Sequence, residues 1–407
     1  MGVLCIIFVA FMELKPFQVV HAYLFFSIRF AGGTCDLIYK ICKYQARTRL
    51  RPIVLTGSYE FDEKLASSLK DTEFIKVPSF LDRFGFSLMP SLWAILKYRL
   101  PEVGIVHMHA FRTIQNVLLY FACRRANIPY VIDAHGSAIY GKKKVWLKRF
   151  FDLVVGRRML KDAGRLIAET EVGIREYTDL GVDSNKVDIV SPPFDTEEFD
   201  DLPGRGEFRS RYDLGERRII LFLGRLHYIK GIDFLIDGFA RYHERDPEAI
   251  LVIVGSDDGH EAELRDQSER MGLTDSVHFT GFLSGWEKTC ALVDADIVAQ
   301  TSRFEQGAWA PFEAVLCGTP IVVTADTGAG EDVRRLDAGT TVPFGDTKAL
   351  ADAFSSIFDA YPAASERTMR AAHFLRSRMS MTARVHEYED IYKKCHRTPL
   401  SGPSDLH

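Results

Sequence analysis

Short apolar runs alternate with helix-like and polar stretches along almost the whole chain. The apolar runs of the first half are QVVHAY (18–23), PIVLTG (52–57), GIVHMH (104–109), YVIDAH (130–135), RLIAET (165–170) and VDIVSP (187–192). Short uninterrupted runs of this kind are typical of parallel strands that are buried on both faces. The first half therefore predicts an α/β domain with a parallel sheet.

A polar segment, residues 196–211, then interrupts the pattern with many charges, a proline and two glycines, as is typical of a linker between domains. Afterwards the alternation restarts with RIILFLG (218–224), ILVIVG (250–255), VHFTG (277–281), DIVAQT (296–301) and IVVT (321–324). The pattern predicts two doubly wound, Rossmann-like domains facing a central cleft. The predicted divisions are an N-terminal extension (1–16), a first domain (17–198), a second domain (199–380), and a C-terminal helix and tail (381–407) that return to the first domain.

Composition and charge restrict the class of protein. The chain has 407 residues, of which 47% are hydrophobic and 26% charged, as expected for an ordinary globular protein of about two or three domains. The net charge is −4, with the excess of bases in the first half and the excess of acids in the second. A basic first half suits an anionic partner or a membrane surface.

Neither the cysteines nor the amino terminus predicts export or membrane insertion. The seven cysteines are scattered without metal-ligand spacing, which favours reduced thiols and a cytoplasmic location. The apolar run at 3–11 is less than half the length that a helix needs to span a bilayer. It also lacks the basic region and the cleavage site of a signal peptide.

The stretch FEQGAWAPFEAVLCGTP, residues 304–320, carries two isolated acids, Glu305 and Glu313. Pro311 suits the first turn of a helix and Gly318 the position that closes one, so a short helix is predicted over 311–317. Glu313 then lies in its first turn and Glu305 in the preceding loop, between two predicted strands. Both acids are therefore expected near the carboxyl end of a strand, where open α/β sheets bind ligands.

A second pattern, FLGRLHYIKG at 222–231, places Arg225 and Lys230 in the loop between a strand and the following helix. Two cations beside the free N–H groups of a helix N-terminus are suited to a diphosphate. The segment is neither a GxGxxG dinucleotide fingerprint nor a P-loop. On its own, such a loop is more often a solvated surface.

These motifs together resemble the retaining glycosyltransferases of family 4, which have the two-domain GT-B fold. The resemblance rests on GRLHYIKG, GFL (281–283), the two glutamates eight positions apart, EAVLCGTPIVVT and TGAGED, in this order. In the first half, AGGT (31–34) and DAHGS (133–137) resemble the glycine-rich loop and the histidine-bearing strand end more loosely. The resemblance covers nearly all of residues 17–395.

The resemblance implies a role for particular residues. Arg225 and Lys230 would hold the diphosphate of a nucleotide-sugar donor, Glu313 the ribose hydroxyls and Glu305 hydroxyls of the sugar. Gly32 and Gly33 would allow the backbone to approach the phosphate, and His135 would lie beside the transferred sugar as a catalytic residue. Further donor contacts would come from Phe282, Leu283, Ala308, Trp309 and Ala310.

The implied reaction is transfer of a sugar to an acceptor hydroxyl, such as that of a lipid-linked glycan or a polysaccharide precursor. Arg225 and Lys230 can stabilise the negative charge that develops on the leaving diphosphate, so we expect no metal and no other cofactor. We also expect the chain to lack an Asp-x-Asp motif, which would suggest Mg²⁺ or Mn²⁺ held by carboxylates. No nucleic-acid partner is expected.

Two departures from the family pattern concern the identity of the sugar. Pro193 and Phe194 precede Asp195 where the family often has Asn-Gly, and Ala308 and the bulky Trp309 stand where a glycine is usual. They leave the implied reaction class intact and weaken any inference about which sugar fits.

Other interpretations stay open from the sequence alone. A nucleotide-sugar 2-epimerase and an inactive sugar-nucleotide binder can share this fold. Gly32-Gly33 can be a simple turn, the two glutamates can be surface acids, and His107, His109 and His135 can be core residues. The basic stretch 141–151, GKKKVWLKRFF, fits a solvated helix face and a helix lying peripherally on the inner face of an anionic membrane equally well.

Overall fold

A computed structural model describes residues 17–81, 87–100, 103–138, 145–191, 193–305 and 309–396. The expected extension at 1–16, the bases at 142–144, Ala308 and the tail from 397 lie outside the described residues. Two parallel sheets, each flanked by helices, form the architecture, and the predicted α/β fold class is confirmed.

The first sheet has seven parallel strands in the order β3-β2-β1-β6-β7-β8-β9. Val19, Val20, Val106 and Ile132 are buried within it, since helices cover both faces and apolar side chains are needed on both. The strands are β1 Phe17–Ala22, β2 Leu50–Gly57, β3 Glu73–Val77, β6 Ile105–His109, β7 Tyr130–Asp133, β8 Arg165–Ala168 and β9 Val187–Ile189; an antiparallel pair, β4 Phe80–Leu81 and β5 Ser87–Leu88, lies outside this sheet.

Helices connect these strands and form the outer layers of the domain. A π-helical turn, Asp152–Gly156, joins two of them into one continuous rod from residue 145 to 162. The helices are α1 Ile28–Ala31, α2 Gly33–Gln45, α3 Glu63–Ser67, α4 Leu92–Arg99, α5 Ile114–Ala126, α6 Val145–Phe151, α7 Arg157–Asp162 and α8 Glu171–Asp179.

The second sheet has six parallel strands in the order β12-β11-β10-β13-β14-β15. Its strands are β10 Ile219–Leu223, β11 Ile250–Val254, β12 Val277–Gly281, β13 Ile297–Gln300, β14 Ile321–Thr324 and β15 Thr340–Val342. The helices of this half are α9 Glu207–Arg211, α10 Ile232–His243, α11 Glu261–Arg270, α12 Gly285–Asp294, α13 Ala310–Leu316, α14 Gly328–Arg335, α15 Thr347–Asp359 and α16 Tyr361–Arg378.

The last helix, α17 Met381–His396, packs on the first sheet rather than on the second. Its apolar side chains join the cluster that contains Val19, Ile105 and Val131. Backbone hydrogen bonds of Phe194 with Met379 and Met381 hold the chain crossing between the domains. In the part of the chain that the structure describes, no helix combines the length and the apolar character needed to cross a bilayer.

The predicted strands and the predicted helix lie within three residues of their expected bounds. Two edge strands and the short helices inside the predicted linker were not predicted. EFIKV forms β3 although it carries two charges, because an edge strand has one exposed side. Thr340–Val342, which was also not predicted, forms the edge strand β15 of the second sheet. The segment interpreted as a linker contains a 3₁₀ turn, Thr196–Phe199, and α9, and its Phe199 and Phe208 are buried in the core of the second domain.

Candidate active site

The glycine-rich loop of the first domain meets two residues of the second domain across the cleft. Gly32 has a φ of +64°, which favours glycine, and a Cβ at this position would lie 3.8 Å from Cδ of Arg225. A Cβ on Gly33 would lie 3.5 Å from Cδ1 of Trp309. The structure therefore brings Gly32, Gly33, Arg225 and Trp309 together at the carboxyl edges of β1 and β10.

Lys230 and Glu305 form an ion pair inside this cleft. Lys230 Nζ donates to Glu305 Oε2 over 2.5 Å, and Ser302 Oγ donates to the same oxygen over 3.0 Å. Gly231, the N-cap residue directly before α10, has a φ of +64° and packs so closely on the next loop that a Cβ there would lie 2.0 Å from the backbone oxygen of Thr301. Backbone contact thus fixes the two loops that carry this ion pair.

Glu313 lies in the first turn of α13 and is almost fully buried. Lys288 Nζ donates to its Oε1 over 2.8 Å. Burial, the largest single effect, lowers the pKa of Lys288, but the charges of Glu313 and Asp36 and the hydrogen bond with Glu313 together raise it overall. Lys40 of the first domain, bound to Asp36 and Glu198, is close enough for the charge of Glu313 to help raise the pKa of Lys40.

Arg225 is half-exposed, and its Nη1 donates to Asp258 Oδ2 over 2.6 Å. Phe282 and Leu283 follow β12 in the loop, Phe282 exposed and Leu283 buried in the core. Ala310 begins α13 and is half-buried. Of the residues expected to contact the donor, Ala308 lies outside the described part of the chain.

The two departures from the family pattern pack against each other. The ring of Phe194 lies edge-on to that of Trp309, with 5.5 Å between centroids and 65° between planes, and also contacts Phe312. Phe194 is buried and Trp309 is half-buried. These aromatic rings link the crossing between the domains to the start of α13.

His135 lies beyond β7, in a turn whose backbone is left-handed at both His135 (φ 45°) and Gly136 (φ 73°). Its Nδ1 lies 3.1 Å from Glu169 Oε1 and 3.2 Å from Asp133 Oδ1, and its Nε2 lies 2.9 Å from Nδ1 of His109. A left-handed non-glycine residue is strained and persists only where contacts hold it. Ser137 closes the turn by accepting from the backbone N–H of Phe111.

The charges around His135 shift several pKa values. Burial lowers the pKa of His135, but Asp133 and Glu169 outweigh this effect and raise it overall. Burial raises the pKa of Asp133 to about 7, and Glu169 adds to the rise while His135 opposes it. A cationic imidazole between two acids is the arrangement that these shifts favour.

The expectation that the chain lacks an Asp-x-Asp pair was wrong as a statement about the sequence, since Asp294-Ala295-Asp296 has this spacing. The pair lies at the amino end of β13, the edge of the sheet opposite to the cleft. Asp294 accepts from the backbone N–H groups of Gly206 and Arg209, and Asp296 accepts from Arg209 and from Ile219 N–H. Its carboxylates thus tie the linker segment to the sheet.

Sequence reasoning missed Lys288, Asp133 and Glu169 as parts of the site. Glu169 and Asp133 each lie at or just beyond the carboxyl end of a predicted strand, a signal that the sequence does contain. Lys288 lies within α12 and has no such signal, because its pairing with Glu313 depends on how two helices pack.

The cleft between two Rossmann-like domains, with the glycine loop of one domain facing cations of the other, defines the GT-B class of fold. Solved structures share it: the Anabaena protein HepE, crystallised with UDP and glucose, has a TM-score of 0.77 at 18% identity and covers 93% of this chain and 99% of its own. At that identity the likeness concerns the fold alone.

Sequence comparison gives the family. The family described as "Glycosyl transferases group 1" matches residues 205–373, and "Glycosyltransferase Family 4" matches residues 31–198. The chain belongs to the GT-B glycosyltransferases of this group 1 and family 4 type, as the motifs indicated.

Curated relatives carry several different names. D-inositol 3-phosphate glycosyltransferase of Salinispora tropica is 30% identical over 271 residues, which is 61% of this chain and 55% of the relative. Mannosylfructose-phosphate synthase of Agrobacterium fabrum is 33% identical over 159 residues, 37% of this chain and 35% of the relative. The alignments span about half of these relatives or less.

Proposed function

We propose that this protein is a retaining glycosyltransferase that moves a sugar from a nucleotide-diphosphate sugar to an acceptor hydroxyl without a metal ion. The observation that carries the proposal is the meeting of Gly32 and Gly33 with Arg225 and Trp309, beside the Lys230–Glu305 pair. An anionic donor entering this cleft finds two cations at one edge and two carboxylates deeper in it. The Anabaena protein HepE was crystallised in complex with UDP and glucose and in complex with UDP-glucose, which supports a uridine diphosphate sugar as the first donor to try.

The proposed chemistry follows from the residue types. The bond between sugar and diphosphate breaks as negative charge grows on the diphosphate, and Arg225 and Lys230 stabilise this charge directly. Glu305 then faces a sugar ring that gains positive character, and Glu313 holds the ribose. The acceptor oxygen bonds to the sugar carbon as the bond to the diphosphate breaks, and the hydroxyl proton passes to the leaving diphosphate, so the products are a glycoside and a nucleoside diphosphate.

Product analysis with a panel of nucleotide sugars tests this function. A transferase releases nucleoside diphosphate slowly in water and faster when an acceptor is added, with the anomeric configuration of the donor kept in the product. Epimerised nucleotide sugar in the mixture would instead identify a 2-epimerase, and binding without any product would identify an inactive relative. Activity is expected to survive EDTA; a need for Mg²⁺ or Mn²⁺ during turnover would contradict the metal-free scheme.

We also propose that the rod from residue 145 to 162 lies on an anionic membrane, which suits a lipid-linked acceptor. Trp146, Phe150, Leu153 and Val154 are 74%, 60%, 76% and 62% exposed, at spacings that place them along one side of a helix. Arg149, Arg157 and Arg158 are exposed on the same rod, and the sequence places three further lysines directly before it, outside the described residues. Apolar side chains flanked by bases are the composition of a helix that lies in a membrane interface.

Sedimentation with vesicles of anionic lipid and with neutral vesicles tests the membrane proposal. The protein is expected to pellet with anionic vesicles only. Replacing Trp146, Phe150 and Leu153 by serine, or Lys142, Lys143 and Lys144 by glutamate, should abolish pelleting without weakening nucleotide binding; each base contributes on the order of 1 kcal/mol. Wild-type protein that stays in the supernatant with every vesicle would refute it.

A further inference from the structure

A continuous file of buried hydrogen bonds runs from His135 into the interior of the first domain. His135 Nε2 lies 2.9 Å from His109 Nδ1, His109 Nε2 lies 3.0 Å from His21 Nδ1, and His21 Nε2 lies 2.8 Å from Gln45 Oε1. Gln45 Nε2 donates over 3.2 Å to the hydroxyl of Tyr392 in α17. The file thus connects the last helix of the chain to the histidine of the cleft.

Burying polar side chains costs free energy unless they are hydrogen-bonded, so the hydrogen bonds of this file matter for stability as well as for charge. His21, His109 and Gln45 are all buried. Burial lowers the pKa of His21 to about 4 and lowers that of His109 well below its ordinary value. Both imidazoles are therefore neutral at neutral pH, and each has one N–H and one bare nitrogen.

The amide of Gln45 fixes the direction of every bond in the file. Because its oxygen faces His21, the N–H of His21 is on Nε2, and Nδ1 of His21 must accept. His109 then donates from Nε2 and accepts on Nδ1, so His135 must donate from Nε2.

The other nitrogen of His135 faces carboxylates. Nδ1 lies beside Asp133 and Glu169, which accept when ionised. A ring that donates to His109 and to a carboxylate carries a proton on both nitrogens and is an imidazolium. With the Gln45 amide turned over, each hydrogen bond between Gln45 and His135 reverses its direction. His135 then accepts on Nε2 and donates only from Nδ1, so every imidazole is neutral. The amide orientation therefore decides the charge of His135.

A buried metal ion is the competing explanation for His21, His107 and His109, which lie close together. The rings of His107 and His109 are stacked, with 4.1 Å between centroids and 25° between planes. His107 Nδ1 lies 2.9 Å from the Tyr392 hydroxyl, while its buried Nε2 has no hydrogen-bond partner among the described residues. Both nitrogens of His21 and both of His109 are engaged in the hydrogen bonds of the file, which favours the file over ligation for these two rings.

We propose that His109, His21 and Gln45 are positioning residues that hold His135 as an imidazolium at the edge of the cleft. This proposal rests on the proposed function and adds further residues to the same site. Asp133 and Glu169 place carboxylate charge beside an anionic donor, at the end where it binds. The imidazolium offsets that charge, and the file holds its ring in the strained turn.

Nitrogen-15 NMR of protein labelled on histidine tests the charge directly, because imidazolium, Nδ1–H and Nε2–H rings have different ¹⁵N shifts. At pH 7 we expect His135 to be protonated on both nitrogens, and His21 and His109 on Nε2 only, with signals assigned through single variants. A neutral His135 in the wild-type protein would overturn the proposal. So would zinc or another metal found in equal molar amount with the protein.

Two changes at Gln45 separate direction from packing. Gln45→Glu can only accept when it is ionised, and in that form it should keep the doubly protonated His135; Gln45→Met fixes no direction, and should lose the doubly protonated His135. For Gln45→Met we expect kcat to fall by roughly tenfold to a hundredfold, the scale for a misplaced catalytic group, while the KM for the donor changes little. Equal kcat in Gln45→Met and wild type would refute a positioning role.

A control variant tests whether general damage to the packing of α17 would produce the same effects. Tyr388 is a buried tyrosine of the same helix, with its ring 5.9 Å from that of His107, and it is not a member of the file. Tyr388→Phe should leave the His135 spectrum and kcat unchanged, whereas Tyr392→Phe should alter both. If no nucleotide sugar is turned over, the spectra still decide the proposal, so its failure and that of the proposed function are distinguishable.

Discussion

At the scale of single residues, the charged groups expected to bind the donor are already paired within the protein. Arg225 is bound to Asp258, Lys230 to Glu305 and Glu313 to Lys288. A nucleotide sugar must therefore exchange partners: its diphosphate takes the two cations and its hydroxyls take the two glutamates. The free energy of binding includes the cost of breaking these ion pairs.

The Arg225–Asp258 pair allows this exchange to be measured. Both side chains are about half-exposed, so the pair itself is worth only about 0.2–1 kcal/mol. Asp258→Asn should release Arg225 and tighten nucleoside diphosphate binding by up to about fivefold. Calorimetry gives the dissociation constants.

A matched control is the pair Arg245–Asp352, which has similar exposure and joins the turn after α10 to helix α15. Asp352→Asn should leave nucleotide binding unchanged. Weaker binding in Asp258→Asn would mean that Asp258 orients Arg225 for the phosphate rather than competing for it.

The two glutamates of the cleft are predicted to have different effects on kinetics. Glu313 would bind the ribose equally before and during the reaction, so Glu313→Gln should weaken binding of free nucleoside diphosphate by about 1.5–3 kcal/mol. Glu305 would act on the sugar as positive character develops, so Glu305→Gln should bind the nucleotide no more weakly and turn over roughly a hundredfold more slowly. Calorimetry and steady-state rates separate the two roles.

The partner of each glutamate must be considered in that comparison. Glu313→Gln leaves Lys288 with less compensation, so the free energy of unfolding should be measured for both variants, and binding compared at a temperature where both are folded. An equal loss of nucleotide affinity in the two variants would remove the distinction, and full activity of Glu305→Gln would remove Glu305 from the mechanism.

At the scale of elements, the helix that follows Lys230 depends on one glycine. Gly231→Ala would place a Cβ 2.0 Å from the Thr301 carbonyl oxygen and also impose a left-handed φ. Gly345→Ala imposes a similar φ with nothing within 4 Å, so it should cost only about 1 kcal/mol of stability. Gly231→Ala should cost clearly more and also reduce activity, because the Lys230–Glu305 pair moves.

Thermal unfolding and donor turnover of both alanine variants check this prediction. Gly345→Ala serves as the control for the left-handed backbone alone. Equal stability of the two variants would show that the loop at Gly231 can shift to accept a side chain.

Elements with a clear local signal could be predicted from the sequence. The helix around Pro311 and Gly318 appears as Ala310–Leu316, because proline and glycine mark its two ends. β3 was missed because Glu73 and Lys76 break its apolar pattern, as is tolerated at the edge of a sheet. Short edge strands therefore need the neighbouring strand to be identified.

The contacts of the site depend on packing across long distances in the sequence. Arg225, Lys230, Glu305 and Glu313 could be named from their motifs, whereas the ion pair of Glu313 with Lys288 could not. Phe194 and Trp309 were each noted as departures from the family pattern, but their mutual contact appears only in the structure. Phe194 and Trp309 pack against each other, and a comparison of single positions with the family pattern cannot detect such a contact.

At the scale of the whole molecule, α17 crosses from the second domain to cover the histidines of the first. Tyr388 and Tyr392 lie against His107, and burial lowers the pKa values of His21, His107 and His109, with neighbouring histidines adding to the effect for His107 and His109. These groups must gain protons when the protein unfolds in acid.

The sign of the effect on stability follows from these shifts. Between the unfolded pKa of about 6.5 and the folded pKa of about 4 for His21, the unfolded state binds more protons, so each such histidine makes the free energy of unfolding fall as the pH falls. Asp133 acts in the opposite direction, because its pKa is raised to about 7 and its stabilising protonation is lost as the pH rises. His135, whose pKa is raised overall, and Glu176, whose pKa burial raises to about 8, act in the same direction as Asp133.

The last prediction isolates one of these protons. His107→Phe keeps an aromatic ring beside α17 and removes a group that must be protonated on unfolding. Between pH 4.5 and 6 the unfolding free energy of His107→Phe should depend less steeply on pH than that of the wild type, by about 1.4 kcal/mol per pH unit, which corresponds to one proton. Chemical denaturation at several pH values measures this slope. Met108→Ala, a buried change on the same strand, should lower stability at every pH and leave the slope unchanged. Equal slopes for His107→Phe and the wild type would show that His107 is already protonated in the folded protein or unprotonated in both states.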